Sequence, residues 1–360
     1  MCGKEVSFVL KTITRMELKP GMVLAEPIEH GGEVLFKAGR KVDERVIERI
    51  SRYNILTVTI MENVDFAKTH YEKIQYSKEF QDFVSVYREQ LLVYKAVMIS
   101  YLGTKMSIDS SVLMNIYRTI YDKVSSDKQL LDYIYNMMPG EDELTYTASL
   151  NAALLCGSFA NWLGLPEDEK KKLILCGFYY DIGKWKLPNE ILWKPGKLTE
   201  EEYALVKKHP VIGYALVRND TNLSEHIKNA IIMHHERMDG SGYPYHMRGE
   251  KIDKYARYMA IVDTYVAMAS PRTHRSAFTP LQIIGTLEKS QDKFDISILM
   301  PLIERISQAQ IGTKVQLNDG SVWEVMLISK HPYSRPVLRN EEDVILNLAE
   351  HPELEIVKLA

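Results

Sequence analysis

With 360 residues, 46% of them hydrophobic and 26% charged, the chain can bury two or three cores and falls outside the disordered class. A net charge of −3 excludes a global basic field for DNA or an anionic membrane, so an anionic ligand must be held by a local cluster. The three cysteines, Cys2, Cys156 and Cys176, lack CxxC spacing, which excludes a zinc ribbon and a disulfide framework.

The N-terminal MCGKEVSFVLKTITRM lacks the long apolar run and cleavage site of a secretory signal, and ALLCGSFANWLGL falls short of the roughly 20 residues of a bilayer span. The expectation is a cytoplasmic protein with no membrane span. Residues 1–65 alternate short strand-like runs (GEVLF, ILTVTI) with Pro-Gly and Gly-Gly turns around one amphipathic helix, VDERVIERISRY. They predict a small α+β module without a catalytic cluster. Residues 66–130 read as a helical linker. Within it KEFQDFVSVYREQLLVYKAVMISYL has no Gly or Pro, and its apolar face suits either core packing or a homodimer seam.

Residues 131–310 read as consecutive helices. Pro166-Glu167-Asp168 opens one, and Thr199 with Glu202 forms a capping-box pattern ahead of another. SEHIKNAIIMHHERM and KYARYMAIVDTYVAMA give two more. Residues 311–360 return to strands, with an Asn-Asp-Gly turn in KVQLNDGSVWEVMLIS marking a hairpin. The fold class expected is mainly α, with a small α+β N-terminal domain and a short β-rich tail.

The chemistry gathers in the helical region. His234 and His235 are adjacent at the end of an apolar helix and precede Glu236 and a Gly-rich turn, a pattern that favours metal ligation over a core histidine. His209, in VKKHP, is expected to end a helix, with Pro210 stopping it. Asp263 lies on the apolar face of MAIVDTYVAM, and Asp181 shares a face with Gly177 and Phe178. A carboxylate on an apolar face needs a metal, a cation or several hydrogen bonds.

The runs YYDIGKWKLPNEIL, VKKHPVIGYALV, HHERMDGSGYP, DTYVAMAS and PRTHRSAF resemble the HD-GYP family of cyclic di-GMP phosphodiesterases over about residues 140–310. The resemblance implies an HD-type helical bundle with a metal centre of iron or manganese. It makes Asp181, His209, His234 and His235 the ligands of one ion. The other ion would take Asp181, Asp263 and two histidines, but this chain has Ala148 and Tyr180 at the histidine positions, and the acid of a third site is missing near Leu144.

The expectation is therefore a degenerate member, with one divalent metal (Fe, Mn or Zn) and a second site lost. The ring of Tyr180 and the small Ala148 would repack the vacated volume. By the same resemblance Asp181 and Lys184 are catalytic positions, and Lys184, Arg272, Arg275 and Tyr243 face the nucleotide. Gly242-Tyr243-Pro244 would shape a loop over the cleft. The function expected first is a receptor that binds cyclic di-GMP with little or no hydrolysis. The alternatives are an active phosphodiesterase yielding pGpG or GMP, and a scaffold binding protein partners through the GYP loop or the N-terminal module.

Overall fold

The structure is a computed structural model that describes residues 9–30, 33–62, 74, 77–104, 106–137, 144–192, 194, 196–270 and 277–360. The chain divides into two compact units, one up to Gln81 and one from Asp82 onward.

The first unit contains β1 (Val9–Thr14), β2 (Val23–Leu24), β3 (Ile28–His30), β4 (Glu33–Phe36), α1 (Glu44–Arg52) and β5 (Thr57–Glu62). Strand β5 is central in an antiparallel sheet of order β1-β5-β2, and β3 pairs with β4. The Asp43 carboxylate caps α1 by accepting from the Val46 amide at 2.8 Å, a contact that typically contributes about 1 kcal/mol. Val46 and Ile50, one turn apart on α1, close a core with Ile13, Leu18, Leu24, Val58 and Ile60.

Helix α2 (Lys78–Thr104) runs from the first unit into the second. In the second unit it buries Phe83, Tyr87, Leu91, Tyr94, Met98 and Tyr101, spaced three or four apart, and leaves Leu92 and Ile99 exposed. There follow α3 (Ser110–Tyr121), α4 (Asp127–Asn136), α5 (Leu144–Trp162) and α6 (Glu167–Tyr179). Pro166 occupies the N-cap of α6, and Glu167, Asp168 and Glu169 fill its first turn, where acids oppose the helix dipole. Helices α5 and α6 cross closely, because a Cβ on Gly177 would lie 2.5 Å from the Ala153 backbone.

A 3-10 turn (Ile182–Lys186) leads to α7 (Asn189–Leu192), α8 (Glu200–Val206), α9 (His209–Val217), α10 (Glu225–Met233), α11 (Lys254–Ala269), α12 (Pro280–Lys289) and α13 (Ile296–Gln308). Both halves of the Thr199–Glu202 capping box form at the head of α8. One expectation is corrected. His209 opens α9 rather than ending α8, with Pro210 in the first turn of the new helix. Proline lacks an N–H that a first turn does not use, and its fixed φ already suits a helix start.

The tail forms β6 (Lys314–Leu317), β7 (Val322–Leu327), β8 (Val337–Arg339), β9 (Ile345–Asn347) and β10 (Ile356–Leu359), an antiparallel sheet of order β10-β6-β7-β8-β9. The β6–β7 turn places Gly320 at φ +89°, in the left-handed region. The sheet docks on α12, where Glu288 accepts from the Tyr333 and Ser334 amides and Gln282 donates to the Ile356 carbonyl. Among the described residues, no helix is long and apolar enough to cross a membrane.

Candidate metal centre

Asp181 follows the last turn of α6 and precedes the 3-10 turn. Gly183 sets where that turn lies. A Cβ there would collide with the carbonyl oxygen of His209 and come within 2.6 Å of the Gly213 nitrogen. Two bare α-carbons thus let the turn rest on the start of α9, which brings His209 against Asp181. His234 caps the C-terminus of α10, His235 follows it, and Asp263 comes from the buried face of α11.

The ring contacts fix the tautomers. His209 Nδ1 lies 2.7 Å from the Val206 carbonyl and His234 Nδ1 lies 2.8 Å from the Ile231 carbonyl. A carbonyl only accepts, so both rings donate from Nδ1 and turn Nε2 into the site. Those two Nε2 atoms face each other at 3.1 Å. Asp181 Oδ1 lies 3.3 Å from the first and 3.8 Å from the second, and among the described residues it meets no hydrogen-bond donor. Three potential ligand atoms therefore converge in a buried space.

A cation is the arrangement's natural occupant, and a divalent metal fits it. Burial, then the neighbouring His209, pushes His234 down to about 3, and burial with the His234 neighbour carries His235 well below the usual imidazole range. The rings stay neutral, as ligands must be. The ligand atoms of His209, His234 and His235 all lie within 4.8 Å of one another. Asp181 borders this cluster through His209 and His234, and the imidazole nitrogens suit a divalent transition metal.

These shifts have a consequence for the metal-free protein. The unfolded chain protonates its histidines near pH 6.5, whereas the folded chain holds His234 and His235 neutral below that. Stability from these rings is thus fully present above pH 6.5 and is lost as pH falls from there toward about 3. The slope is about 1.4 kcal/mol per pH unit for each ring that stays neutral. The urea midpoint of chelator-treated protein is expected to be lower at pH 5 than at pH 7.5. An equal or higher midpoint at pH 5 contradicts this.

The two acids differ. Burial alone would raise the Asp181 carboxyl, but the Lys184 ammonium 2.6 Å from Oδ2, together with His209, holds it well below the usual carboxylate range. Burial raises Asp263, and the charge of Asp181 adds to this. Asp263 Oδ2 stands 3.7 Å from His235 Nδ1. Tyr180 is fully buried with its ring edge-on to His234, 5.1 Å between centroids. Burial, then the charges of Asp181 and Asp263, pushes its phenol far above the ordinary tyrosine range, so it stays neutral. Ala148 is half-buried on α5 between Thr147 and Ser149, whose hydroxyls meet no hydrogen-bond partner among the described residues.

The loop after the histidines is held by Glu236. Its buried carboxylate accepts from the Tyr245 amide at 2.6 Å and the Met247 amide at 3.0 Å. Gly242 lies so close to the 235–237 backbone that a Cβ would fall 2.5 Å from the Arg237 nitrogen. Tyr243 is thereby laid on His235, rings stacked 4.6 Å apart, with Lys207 5.5 Å from the Tyr243 centroid. Glu236→Ala strips two backbone donors of their acceptor at about 1–3 kcal/mol each. Urea unfolding is expected to show a loss of about 2 kcal/mol or more, and a loss under about 0.5 kcal/mol would deny the clamp.

The structure thus brings together Asp181, Lys184, His209, His234, His235, Asp263 and Tyr243. Arg272 and Arg275 lie outside the described residues. The clamp of Glu236 and the spacer role of Gly183 and Gly213 were not assigned from the sequence. The signal available was an acid directly after two histidines, and a glycine two residues after Asp181.

Residues 133–298 match the family model of the HD domain. The chain is 32% identical over 185 residues to cyclic di-GMP phosphodiesterase PA4108 of Pseudomonas aeruginosa, which covers 51% of this chain and 45% of that protein. It is 34% identical over 178 residues to 3'3'-cGAMP-specific phosphodiesterase 1 of Vibrio cholerae, covering 48% of this chain and 40% of that one. The chain therefore spans less than half the length of either relative. Among solved structures, Bd1817, a HDG"Y"P protein from Bdellovibrio bacteriovorus, shares the fold with a TM-score of 0.53 at 14% identity, covering 83% of this chain and 99% of that chain. The HHERMDGSGYP run, the histidine cluster it supplies and these matches agree: residues 133–298 match an HD domain and are similar to the cyclic di-GMP phosphodiesterases.

Proposed function

We propose that the domain binds a cyclic dinucleotide of the cyclic di-GMP class and hydrolyses it slowly on a one-metal centre. The observation that carries this is the convergence of the Nε2 atoms of His209 and His234 on Asp181 Oδ1. Both relatives are named phosphodiesterases, which favours an enzyme over the pure receptor that the sequence placed first.

His209, His234, His235 and Asp181 would hold the ion. When bound, a metal of this kind lowers the pKa of a coordinated water and polarises a phosphoryl oxygen. The chain's own groups do the rest. Lys184 places an ammonium beside Asp181, where a phosphate charge is met. Tyr243, stacked on His235, walls the cleft and limits water at the reacting bond. Asp263, its carboxyl raised by burial, holds a proton more readily than an ordinary aspartate and can pass it on from Oδ2. Arg272 and Arg275 match family positions that hold the dinucleotide.

A neutral tyrosine at position 180 and alanine at 148 leave no imidazole for a second ion, so the transition state loses one of two clamps. That same observation favours the second reading, a receptor that retains the nucleotide intact. Calorimetric titration with cyclic di-GMP in manganese buffer, and with 3'3'-cGAMP alongside, separates them. Saturable binding with slow appearance of pGpG or GMP by chromatography is expected. Bound but intact nucleotide after long incubation selects the receptor, and no binding of either dinucleotide overturns both.

A further inference from the structure

We infer that Lys207, at the end of α8, forms an outer anion subsite that takes the phosphate of the cyclic dinucleotide lying away from the metal centre. Its ammonium lies 4.7 Å from the ring centroid of Tyr203 and 5.5 Å from that of Tyr243. Tyr203 precedes it by one helical turn, whereas Tyr243 comes from the loop after the histidines. Tyr243 is in turn stacked on His235 at 4.6 Å, so the ammonium stands one ring removed from the imidazole cluster.

Three observations point to an anion there. Lys207 is exposed and, among the described residues, makes no ion pair. An aromatic face attracts its charge but does not take its N–H donors as a phosphate oxygen would, so those donors are left for a ligand. Tyr203 and Tyr243 seat the ammonium from two separate elements, and a lysine that merely closes a helix end needs no such seat. Tyr203 is 50% exposed, so the seat opens to solvent rather than into the core. The ligand's chemistry asks for such a group. A cyclic dinucleotide carries two phosphodiesters in one ring, and only one of them can lie at the reacting centre. The other keeps its charge, and a chain of net charge −3 must meet it with a local cation.

This role rests on the cyclic dinucleotide reading above and says how the second phosphate is met. The test is calorimetric titration of the full chain in manganese buffer, comparing wild type, Lys207→Met and Lys207→Arg. The probes are cyclic di-GMP and GpG, a linear dinucleotide with a single phosphodiester. Lys207→Met is expected to weaken cyclic di-GMP at least about fivefold, which is about 1 kcal/mol, and GpG by under about twofold. Lys207→Arg should stay within about twofold of wild type for both. Added salt should cost the wild type more affinity for cyclic di-GMP than it costs Lys207→Met, which has one phosphate contact fewer. Equal losses for the two probes would mean that Lys207 only props Tyr243, and would overturn the inference. Where GpG binds too weakly to fit, the salt dependence decides, and equal slopes overturn it. Absence of cyclic di-GMP binding by the wild type removes the function reading and this subsite with it. Wild-type binding that Lys207→Met leaves intact removes the subsite alone.

Discussion

Restoring both imidazoles, Ala148→His together with Tyr180→His, is expected to raise the metal content from one ion per chain to two and hydrolysis with it. The gain in rate should be at least about tenfold, which asks only about 1.4 kcal/mol of the barrier. Tyr180 sits fully buried beside His234, one residue from Asp181, so an imidazole there enters the same charged space. Ala148 is half-buried on α5, which packs closely on α6. The metal-free double variant pays for this: a buried polar ring replaces a packed phenol, at a cost of about 1–3 kcal/mol. Manganese should recover that loss, because an ion that binds only the folded state stabilises it. A variant that folds, takes two ions and gains no activity would show that the defect extends beyond the ligands.

The second large effect is expected at Gly183→Ala. The added methyl would run into the carbonyl of His209 and the nitrogen of Gly213, both backbone atoms that cannot rotate aside. The 3-10 turn must lift off α9, at a typical overpacking cost of about 1–3 kcal/mol. The functional cost is larger than that figure implies. Metal-ligand distances tolerate only about 0.2 Å, and lifting the turn moves Asp181 away from His209 by more. Metal content should fall close to zero while the helical signal persists. Gly103→Ala is the control, because a Cβ there meets nothing within 4 Å. That helical position should gain up to about 1 kcal/mol and leave the metal unchanged. Full metal content in Gly183→Ala would mean that the close approach of turn and helix is not what places Asp181.

Much of this was legible in the sequence because local rules govern it. The α1 helix follows from the amphipathic run VDERVIERISRY, with Val46 and Ile50 on its buried side. Helix α11 was readable residue for residue from its unbroken apolar face, and α8 from Thr199 and Glu202. The histidines were found by type and motif. What could not be read depends on contacts between segments far apart in the chain. Pro210 looked like a stop because a proline ends one helix and starts the next by the same chemistry. Gly183 carries no side chain to notice, and its importance lies wholly in what α9 places against it. The orientation of the rings depends on which carbonyls meet Nδ1, Val206 and Ile231, and those are set by the backbone alone.

The most direct measurement is the metal content of the purified full chain by elemental analysis, joined to X-ray absorption at the metal edge. One ion per chain, with a first shell of several imidazole nitrogens, is the predicted result. Two ions per chain, or none after loading with iron, manganese and zinc in turn, would contradict the one-metal centre.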